Sequence, residues 1–204
     1  MSNNYKQRIL RQDSFLTIDE AKKLYKAVDK RYVKGMRDYA ILKVYLNCGL
    51  RKSELIGLTV GDYHKENGIA WLSVKGKGGQ ILDQMFNSAT TIKAIDKYLK
   101  TAGHKDNLKT PLFRAIGKGK VSTDRGIQRT AIDFMLNKYA KKANLQKHLH
   151  CHMLRHTFGS ALFRQTGNII TTQQALRHKS GSSTLIYLHS DKKQMLEGLK
   201  QLTL

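Results

Sequence analysis

A chain of 204 residues, 40% of them hydrophobic, is long enough for one sizeable hydrophobic core. Its 37 Lys and Arg residues outnumber 15 Asp and Glu residues, and the formal charge of +22 favours a polyanionic partner, most simply nucleic acid. The sequence has no apolar run of the roughly 18 residues that a membrane span requires and no secretory signal, so we expect a cytoplasmic, nucleoid-associated protein. Its two cysteines form no Cys-x-x-Cys pair, so we expect neither a disulfide nor a cysteine zinc site.

The first predicted helix follows a basic arm. Residues 1–14 are polar with an excess of positive charge, so we expect a flexible arm there. Thr17 followed by Glu20 has the spacing of a capping box and predicts the start of a helix. Apolar residues recur at helical spacing over 34–48, and Gly49 is placed to end that helix in the left-handed conformation.

A β-hairpin and two further helices are predicted in the middle of the chain. Residues 69–74 and 80–86 are rich in strand-forming side chains and flank the glycine-rich turn 76–79. Helical periodicity then indicates one helix over residues 88–102 and another over 123–143. The second of these helices should bury the apolar positions Ile127, Ala131, Phe134, Met135 and Tyr139.

Three helices are predicted in the last third of the chain. One should begin near His152 and stop at Gly167, and residues 171–177 can form a short helix. Ser190 is placed to cap a last amphipathic helix that ends near Leu202.

Chemically versatile side chains are concentrated in residues 149–157, which hold three histidines and an arginine. On a helix, His152 and Arg155 share one face, so an imidazole and a guanidinium can address a single anion together. Arg51 follows the second predicted helix, where it can be anchored on both sides and still point outward. Glu54 is close enough to brace it. His152 and Arg155 therefore predict a site for a phosphate, whereas Arg51 taken alone is more typical of a solvated arginine.

The tip of the predicted hairpin adds positive charge. Lys75 and Lys77 lie on either side of Gly76, in a turn suited to reach a phosphate oxygen or a base edge. Neither this turn nor the glycine–lysine turn at residues 117–120 matches a P-loop, and no Gly-x-Gly-x-x-Gly fingerprint follows a strand. We therefore expect no nucleotide cofactor.

Four short motifs occur in order along the chain. They are Gly-Leu-Arg-x-Ser-Glu-Leu at residues 49–55, Gly-Lys-Gly-Gly at 76–79, His-x-Leu-Arg-His-Thr-Phe at 152–158, and His178 followed nine residues later by Tyr187. Together they resemble the tyrosine recombinase (phage integrase) family. The resemblance implies its catalytic-domain fold, which is mainly α with a small antiparallel β-hairpin or sheet (α+β).

The resemblance also implies a role for each matching residue. Arg51 and Arg155 would clamp the non-bridging oxygens of a scissile DNA phosphate, and His178 would donate a further hydrogen bond to it. Tyr187 would be the nucleophile and His152 would accept or share its proton. The reaction would be site-specific recombination of DNA through a covalent 3′-phosphotyrosine.

The hairpin lysine would be the general acid for the 5′-oxygen leaving group. Lys77 matches this position between glycines, although counting from Gly68 favours Lys75. Glu54 would support the site. The neighbouring cations expected to contact DNA are Lys52, Lys75, Arg177 and Lys179.

The residues give a physical reason for this chemistry. A tyrosine hydroxyl has a pKa of about 10, so its attack on phosphorus needs a cationic pocket and a base. Two arginines, a lysine and two histidines would supply both, and no acidic cluster suited to Mg²⁺ lies near the motifs. We therefore expect neither a metal ion nor another cofactor.

The family resemblance sets further expectations about domains and partners. Family members commonly carry a separate N-terminal core-binding domain, but residues 1–14 alone precede the first helix here. We expect a basic arm over 1–14 and a single catalytic domain over 15–204, from a catalytic-domain-only recombinase or from a piece of a longer integrase. Its partners would be double-stranded DNA and three further copies of the chain, in a tetramer that exchanges the C-terminal helix, with no membrane.

The chain departs from the family pattern at several positions. Cys151 replaces the usual proline before the first histidine, and Arg177 replaces the usual glycine before His178. Residues 81–84 lack the usual Val-Pro-Leu. The local turns are expected to differ, while no candidate catalytic group is removed.

Three alternatives stay open. The chain could be an inactive basic DNA-binding module, or an enzyme like the type IB topoisomerases that relaxes DNA without site preference. A histidine metal site is a third, although the alternating spacing suits a strand and no carboxylate joins the cluster. Its ligands would be His148, His150, His152 and His156. His104 is expected on the surface.

Overall fold

The computed structural model describes residues 14–76, 79–117 and 122–177. The helices are α1 (Ile18–Lys26), α2 (Val33–Cys48), α3 (Lys52–Gly57), α4 (Ala89–Ala102), α5 (Arg129–Lys142), α6 (Cys151–Thr166) and α7 (Ile169–Leu176). The strands are β1 (Tyr63–Glu66), β2 (Ile69–Lys75), β3 (Ile81–Phe86), β4 (Arg114–Ile116) and β5 (Ser122–Gly126). Within these residues, none of the helices has the length and apolar character needed to span a membrane.

Helix α2 is the centre of the core, and it packs against α4 and α6. Ile41, Leu42 and Val44 are all fully buried although they lie on different sides of the helix, so α2 is covered on most of its circumference. Gly49 ends the helix with φ 59°, as the sequence predicts. The chain then turns directly into α3.

The first helix begins at the predicted capping box. The Thr17 hydroxyl accepts a hydrogen bond from the Glu20 backbone, and the Glu20 carboxylate accepts one from the Thr17 backbone. The preceding residue is also fixed, because the Leu16 N–H donates to the Thr157 hydroxyl on α6 at 2.9 Å. The start of the described chain is therefore docked against the helix that carries Arg155.

The predicted hairpin is confirmed and belongs to an antiparallel sheet of order β1-β2-β3. Strand β1 is not among the predicted elements. Its turn to β2 consists of Asn67 and Gly68, both with positive φ, and this pair is a strong hairpin signal in the sequence. One face of the sheet buries Ala70, Leu72 and Val74 against the core.

The prediction for residues 123–143 is wrong at its start. Residues 122–126 form β5, which pairs with β4, and the helix begins only at Arg129. The buried stripe of α5 consists of Ile132, Met135, Leu136, Tyr139 and Ala140 at helical spacing. Ala131 and Phe134 therefore point away from the core, and Phe134 is 74% exposed.

The surface position predicted for His104 is also wrong. The side chain is 3% exposed and packs edge-on against Tyr98, with Nε2 3.4 Å from the Leu112 carbonyl oxygen. Burial lowers the pKa of His104. The cap at Ser190 and the terminal helix predicted after it lie outside the described residues.

Candidate active site

Arg51 lies at the N-terminus of α3, in the turn that follows α2. The turn is tight because the Phe158 ring of α6 packs directly over Gly49. A Cβ atom built on Gly49 would lie 2.3 Å from Phe158 Cδ1, so this position requires glycine for space as well as for its positive φ. The close contact fixes the distance between the helix that carries Arg51 and the helix that carries Arg155.

The carboxylate of Glu54 holds Arg51 in place. It accepts hydrogen bonds from the Arg51 backbone N–H and from Arg51 Nη1, both at 2.7 Å. Burial raises the pKa of Glu54, but the charge of Arg177 and the hydrogen bonds from Arg51 outweigh it and keep the pKa below its usual value. Glu54 is therefore ionised at neutral pH.

Arg155 projects from the first half of α6 into the protein and is 3% exposed. Its Nη1 donates to the Gly49 carbonyl and its Nη2 donates to the Leu176 carbonyl. The guanidinium therefore joins the end of α2 to the end of α7. Such fixed, charged donors are well suited to meet a phosphate without reorganisation.

His152 lies one turn before Arg155 on α6, and its side chain is exposed. Partial desolvation, the charge of Arg155, the neighbouring His150 and the charge of Arg51 lower the pKa of His152, so its ring is neutral at pH 7. A neutral imidazole can accept a proton. Its Nε2 lies 2.8 Å from Nε2 of His156, one turn further along the helix.

His150 has a structural role that was not predicted. Its Nδ1 accepts a hydrogen bond from the Met153 backbone at 3.2 Å, so the imidazole caps the N-terminus of α6. Cys151 is the first residue of that helix, where the family pattern has proline, and it is buried. The helix that carries His152 and Arg155 thus starts without proline.

One cavity of about 250 Å³ brings Arg51, His152 and Arg155 together. Arg51 is far from His152 and Arg155 in the sequence, and the fold places the three side chains around a single space. The residues lining the cavity are Leu50, Arg51, Lys52, His150, Cys151, His152 and Arg155. The site is therefore strongly cationic.

A larger cavity of about 800 Å³ lies between α3, α7 and the β2–β3 hairpin, and Arg51 lines this one too. Lys75 lines it from the end of β2, with Gly76 and Gln80 beside it. The hairpin therefore faces the same arginine that α3 presents. Lys77 lies outside the described residues, as do His178, Lys179 and Tyr187.

Two of the cations expected to contact DNA form ion pairs within the protein. Arg177 Nη2 donates to Glu54 at 2.7 Å and the Arg177 side chain is 9% exposed. Lys52 Nζ lies 2.5 Å from the carboxylate of Asp133. The contact of either with DNA stays a prediction, and the pairing of Arg177 with Glu54 adds a buried role that was not predicted.

The histidine-rich stretch does not form a metal centre in the described part of the chain. There, no group of three or more His, Cys, Asp or Glu side chains could together hold an ion. The ring centroids of His148 and His150 are more than 6 Å apart, and so are those of His150 and His152.

Comparison with known proteins finds a matching family and similar sequences. Residues 14–194 match the profile of the phage integrase family. Over 198 residues the chain is 35% identical to tyrosine recombinase XerC of Caldanaerobacter subterraneus, covering 94% of this chain and 52% of the relative. It is 30% identical to tyrosine recombinase XerD of Listeria monocytogenes, covering 91% of this chain and 61% of the relative.

Solved structures with the same fold include two recombinases. The XerA recombinase superposes with a TM-score of 0.72 at 30% identity, covering 92% of this chain and 64% of that one. The XerH site-specific recombinase, in a post-cleavage complex with its difH substrate, superposes with a TM-score of 0.76 at 23% identity, covering 94% and 54%.

The predicted mainly helical fold with a small antiparallel sheet is confirmed by these structures. The chain spans between about half and three fifths of the length of the curated relatives it matches. The predicted resemblance is likewise confirmed, and the chain belongs to the phage integrase family, whose named relatives here are tyrosine recombinases.

Proposed function

We propose that this protein cuts and rejoins double-stranded DNA at specific sites through a covalent bond between Tyr187 and a 3′ phosphate. One observation carries the proposal: Arg51, Arg155 and a neutral His152 line one cavity. Two guanidiniums and a proton acceptor around one space are what the attack of a phenol on a phosphodiester requires.

In the proposed reaction, Arg51 and Arg155 bind the non-bridging oxygens and stabilise the charge that builds up at phosphorus. His152 takes the phenolic proton as the Tyr187 oxygen bonds to phosphorus. The bond from phosphorus to the 5′ oxygen breaks, and Lys77 or Lys75 gives that oxygen a proton. Since one phosphate ester replaces another, the reverse attack by a 5′ hydroxyl rejoins the strand without ATP.

The Arg51 side chain is held by hydrogen bonds to the protein and is also accessible to a substrate. Its Nη1 and Nη2 donate to Glu54 and to the Arg177 carbonyl, while 45% of the side chain is exposed. The guanidinium is therefore braced from one side and open from the other. A lysine could not keep both contacts and meet a phosphate in the same way.

We also propose how the chain is organised and with what it assembles. Residues 15–204 would be a single catalytic domain preceded by a basic arm, bound to DNA in the nucleoid. Four copies would assemble on DNA by exchanging their C-terminal helices, and His178 would complete the phosphate site. The XerH structure, described as a complex with its difH substrate after cleavage, supports DNA as the substrate class.

A trapping experiment tests the proposed function. The wild type is incubated with fragmented DNA, denatured in SDS, and the protein that stays attached to DNA is isolated so that the attached DNA can be sequenced. We expect an adduct at a recurring sequence, which then defines a nicked duplex for kinetic work. Tyr187→Phe should form no adduct, while Tyr32→Phe, which removes an exposed phenol elsewhere, should match the wild type.

The same assay separates the alternatives. Tight DNA binding without an adduct would favour the inactive DNA-binding module. An adduct spread evenly over sequences, together with relaxation of supercoiled DNA, would favour a relaxing enzyme of the topoisomerase IB kind. Either result would overturn the proposed site-specific reaction.

A further inference from the structure

His156 forms a side-chain contact that the proposed chemistry does not yet use. It lies four residues after His152 on α6, so the two rings project from the same side of the helix. Their Nε2 atoms are 2.8 Å apart, and the rings are nearly perpendicular at 86°. At this distance the two nitrogens form a hydrogen bond.

A hydrogen bond between two neutral imidazoles restricts both rings. Each neutral ring carries one N–H, so a bond between the two Nε2 atoms needs a hydrogen on one of them and a lone pair on the other. If His156 donates, the hydrogen of His152 is on Nδ1. If His152 donates, its hydrogen is on Nε2 and its Nδ1 carries the lone pair.

The proposed reaction selects between these two arrangements. His152 must accept a proton from the nucleophile while its Nε2 faces His156, so the accepting atom is Nδ1. This requires the hydrogen on Nε2 of His152, donated to Nε2 of His156. The second ring then fixes the tautomer and orientation of the first, as a hydrogen-bonded partner does for a catalytic histidine in other enzymes.

A neutral hydrogen-bond acceptor beside His152 would stabilise its protonated ring, because the surrounding side chains are mostly cations. After proton transfer His152 is a cation beside Arg51, Arg155, His150 and Lys52, which line the same cavity. No Asp or Glu is among the described residues lining that cavity, and Glu54 is bound to Arg51. An imidazolium here needs a neutral acceptor, and Nε2 of His156 is in position to provide it.

We propose that His156 is a positioning residue that accepts a hydrogen bond from Nε2–H of His152, leaves Nδ1 of His152 open to take the tyrosine proton, and stabilises the resulting imidazolium. The hydrogen bond between the two rings is a property of the folded chain and does not depend on DNA. The choice of tautomer follows from the proposed reaction, and NMR can measure it without DNA. The catalytic consequence rests on the proposed function.

The first test is spectroscopic and needs no DNA. The full chain, labelled with ¹⁵N in its histidines, is studied by NMR near pH 8, where imidazoles are neutral. We expect Nε2 of His152 to be protonated and scalar coupling to Nε2 of His156 across the hydrogen bond. A hydrogen on Nδ1 of His152, or no coupling, would overturn the proposal.

The second test uses two substitutions and the nicked duplex. His156→Gln keeps an acceptor oxygen on the same face, while His156→Ala removes it. We expect His156→Ala to form the covalent adduct about tenfold more slowly at saturating DNA, with unchanged DNA affinity, and His156→Gln to recover most of the rate. His64→Ala, a histidine substitution on the sheet, is the control and should match the wild type.

Each outcome of this test decides the catalytic claim. Equal rates for wild type and His156→Ala would overturn it, and so would a His156→Gln variant as slow as His156→Ala. If the wild type forms no adduct at all, the proposed function fails, while the NMR result still decides whether His156 sets the tautomer of His152.

Discussion

The guanidinium groups of Arg51 and Arg155 each hold a backbone carbonyl at the C-terminal end of α7. Arg155 donates to Leu176 and Arg51 donates to Arg177, the residue directly before His178 in the chain. The helix end carries partial negative charge, so both contacts are electrostatically favourable. The two arginines thus fix the point from which the chain continues to His178.

At this scale we predict separate effects on cleavage and on binding. Arg51→Ala should reduce the rate of adduct formation by at least about a hundredfold, because it removes a preorganised donor to the phosphate. DNA affinity should change only a few-fold, since binding is shared among many phosphates. The rate on the nicked duplex and a titration with the same DNA measure both. Arg31→Ala, an exposed arginine paired with Asp29, is the control, and a parallel loss of affinity and rate in Arg51→Ala would contradict the assignment.

How much of the site could be predicted differs from residue to residue. Helical spacing alone places His152 beside Arg155, because the two residues lie three positions apart on one helix. The proximity of Arg51 to Arg155 depends on α2 packing against α6, which no local sequence pattern encodes. Only the family resemblance predicts that the two arginines lie together. The cap formed by His150 and the contact of His156 depend on rotamers and were not predicted.

At the scale of elements, helix ends were the most predictable features. Thr17, Gly49 and Gly167 all end or begin helices as their residue types indicate, because capping is local chemistry. The start of α5 was not predictable in this way. Residues 122–125 are polar residue types compatible with several structures, and the pairing of this segment with β4 decides the outcome.

The turn between α2 and α3 gives a prediction about stability. Gly49→Ala would combine a left-handed backbone with a collision against Phe158, whereas Gly167→Ala has the same kind of φ and open space around it. We expect Gly167→Ala to lower the free energy of unfolding by about 1–2 kcal/mol. Gly49→Ala should cost about 1–3 kcal/mol more. Urea unfolding measures both, and equal losses would show that Phe158 does not pack tightly on this turn.

At the scale of the whole molecule, three histidines make stability depend on pH. Burial lowers the pKa of His104, and desolvation is likewise the main cause of the lowered pKa of His150 and of His152. The unfolded chain therefore binds protons before the folded chain does as pH falls through about 6.5. We expect the melting temperature to fall between about pH 7.5 and pH 5.5.

The pH window distinguishes histidines from carboxylates. Glu20 and Glu54 have lowered pKa values, so their contribution is present above about pH 4.3 and is lost only below it. A melting temperature that is constant down to about pH 5 would contradict the lowered pKa values of the three histidines.

The charge of +22 predicts how DNA binding responds to salt. Each phosphate that the protein neutralises should contribute about 0.9 to the slope of log affinity against log salt concentration. We expect a steep loss of affinity between about 50 and 200 mM salt, measured by fluorescence anisotropy with a duplex of the trapped sequence. A flat response would contradict a binding surface built on lysine and arginine.

In the proposed reaction, the cavity lined by Arg51, His152 and Arg155 binds one phosphodiester that Tyr187 attacks. The most direct measurement is mass spectrometry of the peptide that stays attached to DNA after the trapped adduct is digested with protease and nuclease. We expect a nucleotide that is joined through its 3′ phosphate to the phenolic oxygen of Tyr187. Attachment to any other side chain would contradict it.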